Sequence, residues 1–305
     1  MKAPTATVII PYYNSSSTID RCLAPLKNDK DLYEIILVDD GSDSPFDKNN
    51  YPHVTVITHS HNRGPSAARN TGMSNSNTDL FIFIDADVVI SNANLEKVIQ
   101  RFKKDDACAF TLQHSKLTNT ESFYSQYKAY YMNYSFSLSG RYARFLYSSL
   151  CGLKKTQQLK WPESIRYGED SYLATQLLNK KKKISFYSDI ELKHLKVYTL
   201  ASLLKNDFII PFHFVNSLVN SKTSGSHAHT NRKQIIAIAL TPFIYLTWPL
   251  WIMCNYSFFS FSSKLGLPKV IAFTLLDQFV MGCGILSGLI TYSLAYLRKS
   301  PATDY

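Results

Sequence analysis

Three acidic pairs and one histidine stand where this chain could do chemistry. The first pair closes an apolar, strand-forming run: Leu80-Phe81-Ile82-Phe83-Ile84 stops abruptly at Asp85-Ala86-Asp87. A buried central strand that ends this way delivers carboxylates to the edge of a sheet. Side chains alternate along an extended chain, so Asp85 and Asp87 are expected to point the same way and to repel each other unless a cation lies beside them. That is the chemistry of a divalent ion holding a diphosphate. The plainer reading is a strand whose last aspartate caps a turn. The second pair, Asp39-Asp40, ends the run from Glu34 and leads into Gly41-Ser42, a turn that Asp40 is expected to serve. The third, Glu169-Asp170, follows Gly168 at the head of a helical stretch, where the helix dipole alone would favour acids. His194 precedes another helix, and a lone histidine is more often structural.

The chain around these residues alternates strand and helix. Thr7 to Pro11 reads as a first buried strand, followed by Tyr12-Tyr13-Asn14 and a helix in which Ser17 and Asp20 can form a capping box. Val54 to Thr58 is a shorter strand, and Pro65 opens a helix carrying Ala67, Ala68, Arg69 and Asn70. Asn92 is expected to cap a helix whose Leu95, Val98, Ile99 and Phe102 form an apolar stripe. Ala107 to Leu112 is a further strand. This rhythm predicts an α/β sheet with ligands at the carboxyl ends of its strands.

Composition narrows the partners. A chain of 305 residues, 45% apolar and 18% charged, is globular, and its net charge of +10 favours a membrane surface or a phosphate-bearing ligand. No basic helix with base-stacking aromatics is present, so nucleic acid is not expected. Five scattered cysteines without a CxxC indicate neither a disulfide framework nor a zinc site, and the amino-terminal segment is too short for a signal-peptide core.

The segments VIIPYYN, ILVDDGSDS, NRGPSAARNTGM, FIFIDADVV and YGEDSYLATQLL, in this order between about Thr7 and Leu200, resemble the glycosyltransferase family 2 catalytic domain. The resemblance implies the GT-A nucleotide-diphospho-sugar transferase fold, a Rossmann-like mixed sheet flanked by helices, and inverting transfer. It implies that Pro11, Tyr12, Asn14 and Asp39 hold base and ribose, that Arg69 lies near the nucleotide, and that Asp85 faces the ribose. Asp87 would ligate Mn2+ or Mg2+, and His194 would reach the metal or diphosphate. Asp170 would be the catalytic base with Glu169 beside it, since a carboxylate suits removal of a proton from an acceptor hydroxyl. SLCGLKK, at 149–155, matches the family only loosely and supplies no site residue.

The rest of the chain looks towards a membrane. Phe123, Tyr124, Tyr127, Tyr130, Tyr131, Tyr134 and Phe136 recur at helical spacing, as a core stripe or alternatively as an acceptor groove or membrane-facing surface. Lys180 to Lys183 reads as a solvated turn. Thr199 to Asn216 is an amphipathic helix, kinked or broken at Pro211, suited to the bilayer interface or to packing on the soluble domain. Residues 235–256 lack charge and 270–297 carry only Asp277, so two transmembrane helices are expected, with Gly284 and Gly288 packing them together. Arg232-Lys233 and Arg298-Lys299 place both ends in the cytoplasm. His227 and His229, in the linker, look like neither ligands nor bases.

These readings give a catalytic domain over 1–198, an interfacial helix and linker over 199–233 and a helical hairpin over 234–305. The function expected is a metal-dependent, inverting transfer at the inner membrane, catalytic domain cytoplasmic. The sugar would pass from a nucleoside-diphosphate donor, UDP-linked, to a hydroxyl of a lipid-linked or cell-surface glycan. The alternatives are a polyprenyl-phosphate monosaccharide synthase, against which a base for a hydroxyl argues, and a non-catalytic nucleotide-sugar-binding scaffold. A processive polysaccharide synthase lacks support because no QxxRW-type segment occurs.

Overall fold

β1 (Ala6–Tyr12), β2 (Tyr33–Asp39) and β4 (Leu80–Ile84) are apolar on both faces, and the sheet buries them on both faces. The computed structural model describes residues 4–26, 31–155, 159–165, 167–220, 236–238 and 240–299. Arg232-Lys233, His227 and His229 lie outside the described residues. The chain divides into two compact units, Met1–Asn119 with Phe136–Lys196, and Thr120–Ser135 with Val197–Tyr305.

In the first unit, β3 (Val54–Thr58), β2, β1 and β4 run parallel. β7 (Leu150–Lys154) is antiparallel to both β4 and β6 (Ala109–His114), and β6 is parallel to β8 (Ile184–His194). The two-residue β5 (Val88–Val89) pairs antiparallel with the end of β8, which completes a mixed sheet in the order β3-β2-β1-β4-β7-β6-β8-β5. Val8, Ile10, Leu37, Ile82 and Ile84 face one core, with Leu95, Val98, Ile99 and Phe102 of α3 (Asn92–Lys104). Ile36 and Val38 take the other face with Ala68 of α2 (Pro65–Ser74). Pro11, which cannot donate to a ladder, pairs with Val38 just beyond the last β1–β4 register pair, Ile9 with Phe83.

Local chemistry moves several expected boundaries. α1 (Ser16–Leu23) follows Ser15 without a side-chain cap, and Asp20 accepts from the Tyr51 hydroxyl instead of closing a box with Ser17. α3 is capped by Ser91, whose hydroxyl accepts from the Asn94 amide, while Asn92 inside the helix accepts from the Tyr33 hydroxyl. β6 starts at Ala109 because the Asp105 carboxylate holds the Ala107 amide in a turn.

The second unit is helical. Its members are α4 (Phe123–Ser137) as far as Ser135, α6 (Leu200–Asn220), α7 (Ile244–Phe261) and α8 (Leu267–Lys299). Tyr127 and Tyr131 are buried against Phe258 and Phe273, so the aromatic stripe of α4 is core. α6 continues through Pro211 without a break. Gly284 and Gly288 admit α6 to α8 rather than joining two spans: a Cβ on Gly284 would lie 2.4 Å from the Phe208 carbonyl oxygen, and one on Gly288 2.7 Å from that of Phe212.

Polar groups of this unit turn inward. Lys128 meets Asp207 at 2.6 Å, and Tyr127 donates at 3.3 Å to Asp277, whose partner is thereby identified. Trp251 donates to Gln278, which donates to Asn255. The outward positions carry Leu246, 87% exposed, Met253, 69% exposed, and Tyr256, Phe279 and Leu286. Among the described residues one helix, Leu267–Thr291, is long and apolar enough to cross a membrane by length and composition. The earlier apolar stretch is interrupted by a 3-10 turn at Thr241–Phe243, where Pro242 removes a helical donor, and α7 then runs on to Phe261.

Candidate active site

β4 ends at Ile84, and the next residues form a turn in which the Val88 amide donates to the Asp85 carbonyl at 3.0 Å. Asp85 and Asp87 are therefore brought together by a turn, not by alternation along a strand. Both charges act on Cys22 beneath them, whose thiol is pushed up to about 12 by burial first and then by Asp87 and Asp85. Burial also raises the Asp87 carboxyl, with Asp85 adding to the rise and His194 opposing it.

His194 is placed by strand pairing. Val88 pairs with His194 across β5 and β8, and the Leu195 amide donates to the Asp87 carbonyl at 2.7 Å. The ring Nε2 then lies 3.7 Å from Asp87 Oδ1, while Nδ1 accepts from the Lys196 amide at 3.2 Å. With Nδ1 accepting, Nε2 is the nitrogen left to carry the proton, and at 3.7 Å it lies beyond hydrogen-bond reach of Asp87. Metal ligation through Nε2 would require the Lys196 contact to break. Among the described residues no three His, Cys, Asp or Glu side chains form a group able to hold a metal. A cation that takes one or two carboxylates and completes its shell with phosphate and water fits Asp87, with Asp85 next to it.

α5 (Glu169–Asn179) brings the other pair to the same edge. Gly168, at φ 77°, makes the left-handed turn that starts the helix. Asp170 accepts from the Ser171 amide at 2.7 Å and from the Ser148 amide at 3.2 Å, next to Ser149, whose carbonyl accepts from the Asp85 amide at 3.0 Å. Burial raises the Asp170 carboxyl above the usual carboxylate range, against the lowering effect of those amides. Glu169 is raised by burial and then by Asp170. Arg69, 2% exposed, joins the pairs: it donates to Asp85 Oδ1 at 2.9 Å and to Glu169 Oε1 at 3.1 Å. Its charge is held more firmly than that of an ordinary guanidinium, because the two acids outweigh its burial.

The remaining sequence candidates build the loops over β1 and β2. Asp39 is fully buried, and its carboxylate accepts from the Ser42 and Phe46 amides at 3.0 and 2.9 Å. Asp39, and not Asp40, thus organises the turn after β2. Asp40 fastens the next loop instead, through His59 and the Arg63 and Gly64 amides. Asn14, at φ 47°, donates its side-chain amide to the Asp43 carboxylate and accepts from the Asp43 backbone amide, and so ties the β1 loop to the β2 loop. Tyr12 is buried edge-on to Phe46, which leaves half-buried Pro11 and the exposed Tyr13 and Asn14 as the open part of this edge.

The match to known proteins follows the same residues. The family model described as glycosyl transferase family 2 matches residues 7–168, more than half of the chain. The chain belongs to glycosyl transferase family 2. Among its relatives are a poly(ribitol-phosphate) beta-glucosyltransferase of Bacillus spizizenii, 30% identical over 62% of this chain and 32% of that protein, and the minor teichoic acid biosynthesis protein GgaA of Bacillus subtilis, 31% identical over 58% and 44%. The chain spans less than half the length of these relatives. The mannosyltransferase PcManGT of Pyrobaculum calidifontis, solved with GDP-Man and Mn2+, superposes with a TM-score of 0.60 over 97% of this chain and 88% of its own, at 15% identity, and shows the same GT-A fold. In this family 2 chain the acids after β4 and at the start of α5 and His194 lie in one unit, and Asp39 stands at the same carboxyl edge, two strands away. Motif reading missed the bridge from Arg69 to Glu169 and the part of Trp161 beside it. Contacts across 100 residues of chain leave no local spacing signal.

Proposed function

We propose that this chain is a metal-dependent, inverting glycosyltransferase that moves a sugar from a UDP-linked donor to a hydroxyl of a cell-envelope glycan or its lipid-linked precursor. The observation that carries this reading is the convergence of Asp85, Asp87, Arg69, Glu169 and Asp170 at the carboxyl end of β4. The names of the Bacillus relatives support a wall-polymer acceptor, and the Mn2+ in the mannosyltransferase supports a divalent cation, for which Asp87 is the ligand proposed here. The outward apolar side chains of α7 and α8 support attachment to a membrane, and the basic pairs Arg232-Lys233 and Arg298-Lys299 support a catalytic unit on its cytoplasmic side.

Asp170 takes the proton of the acceptor hydroxyl as its oxygen forms a bond to the anomeric carbon. The bond from that carbon to the diphosphate breaks, and the nucleoside diphosphate leaves with the electron pair. A single displacement with one base inverts the centre. Asp87 would hold the divalent ion, which supplies neutralisation of diphosphate charge when bound. The Nε2 proton of His194 is directed to a phosphate oxygen. Pro11, Tyr13 and Asn14 line the edge at which the nucleoside lies.

The test is release of UDP from a UDP-hexose, with Mn2+ and with chelator, in the wild type and Asp87→Asn. The expected result is activity that falls on chelation and a variant whose Mn2+ requirement rises at least about tenfold, the lower end for loss of a metal-site group. Equal rates in all four conditions would remove the cation from the reading.

A further inference from the structure

Arg69 and Asn70 are consecutive on α2, and each engages a different partner. Arg69 takes the two acids. Asn70 takes the backbone of Trp161 from both sides: its Nδ2 donates to the Trp161 carbonyl at 2.9 Å, and its Oδ1 accepts from the Trp161 amide at 2.9 Å. That pair of hydrogen bonds seats the indole, 1% exposed, against the guanidinium, with the Arg69 Cζ 4.5 Å from the ring centroid. The indole also meets Phe83 edge-to-face at 5.1 Å, on the strand that leads to Asp85.

The geometry of the guanidinium explains why a platform matters. Two acids bound at its terminal nitrogens fix its edge, but they leave it free to tilt about the line that joins them. A ring against its face removes that freedom and replaces water with a π-system that attracts the cation. The Arg69 Nε has no hydrogen-bond partner, so no third bond does this work. Tilting would shift Glu169, and with it the first turn of α5 that aims Asp170.

We propose that Trp161 is a positioning residue for glycosyl transfer, the platform that fixes Arg69 and through it Asp85, Glu169 and the direction of Asp170. The proposal rests on the reading of Asp170 as the base. Asn70 is the clasp that holds the Trp161 backbone beside Arg69.

The test uses the full chain with Mn2+ and whichever of UDP-glucose, UDP-N-acetylglucosamine, UDP-galactose and GDP-mannose raises its Tm most. Release of nucleoside diphosphate is measured against pH. Trp161→Leu is expected to lower kcat by roughly tenfold to a hundredfold and to move the acid limb of the pH profile, with KM little changed. Trp161→Phe, which keeps a π-face, is expected to stay within about fivefold of wild type. In an Arg69→Met background Trp161→Leu should have no further effect on kcat. A folded Trp161→Leu protein with wild-type kcat and pH profile overturns the proposal, as does an effect that multiplies with that of Arg69→Met. If the leucine variant does not fold, the same cycle run with Trp161→Met, which fills the space without a π-face, decides by the same criterion. A wild-type rate in Asp170→Asn, or release from none of the four donors, overturns the base reading instead and removes the platform role with it.

Discussion

Asp170 has one carboxylate oxygen on the Ser148 amide and the other on its own helix, at the Ser171 amide. Those bonds aim the group, while burial holds its carboxyl above the usual range. A base must be ionised to act, so the rate should rise with pH through this elevated value and then level off. The acid limb of kcat/KM is expected above about 3.9, the ordinary aspartate value. Asp170→Asn should abolish that limb and cost roughly a hundredfold to ten-thousandfold in kcat, while donor binding, read by thermal shift, survives. A pH profile with its limb unchanged in the asparagine variant would assign the titration to another group. Arg69 opposes the rise at both Asp170 and Glu169, so Arg69→Met should push the limb further upward.

At the level of elements, the helical unit is held by charges that its sequence scatters over 150 residues. Lys128 on α4 meets Asp207 on α6, and Tyr127 on α4 meets Asp277 on α8. One oxygen of Asp207 and one of Asp277 are buried without a hydrogen-bond partner. Asp207→Leu leaves the Lys128 ammonium buried without its counter-charge, and a loss of about 3 to 5 kcal/mol in stability is expected. Asp277→Asn keeps an acceptor for Tyr127 and brings an N–H towards Asp207, so its Tm should equal or exceed that of the wild type. Denaturant unfolding of the first variant and thermal unfolding of the second, both in detergent, check these outcomes. α6 and α8 also show how a short motif finds its partner: GxxxG at Gly284 and Gly288 marks a close approach, but the carbonyls that approach belong to Phe208 and Phe212. The periodicity of one helix states that a neighbour is near without saying which helix it is.

The helical unit combines an aromatic core with polar groups turned inward and large apolar side chains turned outward. Asn255, Asp277 and Gln278 are buried, and Leu246, Met253 and Tyr256 face outward. Such a surface suits hydrocarbon, where each polar group must find its partner inside the protein. The chain should float with vesicles of phosphatidylethanolamine and phosphatidylglycerol, and Leu246→Glu with Met253→Glu should shift it towards the soluble fraction. Retention of full vesicle binding by that double variant would count against this face.

The strand runs that end in acids, the order of the family motifs and the apolar carboxyl-terminal third could all be read from the chain, because each is a local pattern of residue types. Asp85, Asp87 and Glu169-Asp170 were legible for that reason. Their assembly was not. Pairing of β5 with β8 placed His194 beside Asp87, and the meeting of α2 with α5 placed Arg69 between Asp85 and Glu169. The tautomer of His194, the interior role of Asp39 and the seat of Trp161 depend on backbone amides and rings far away in sequence. Hydrogen bonds and ring contacts of that kind form only once the sheet has closed, so tertiary packing alone decides them.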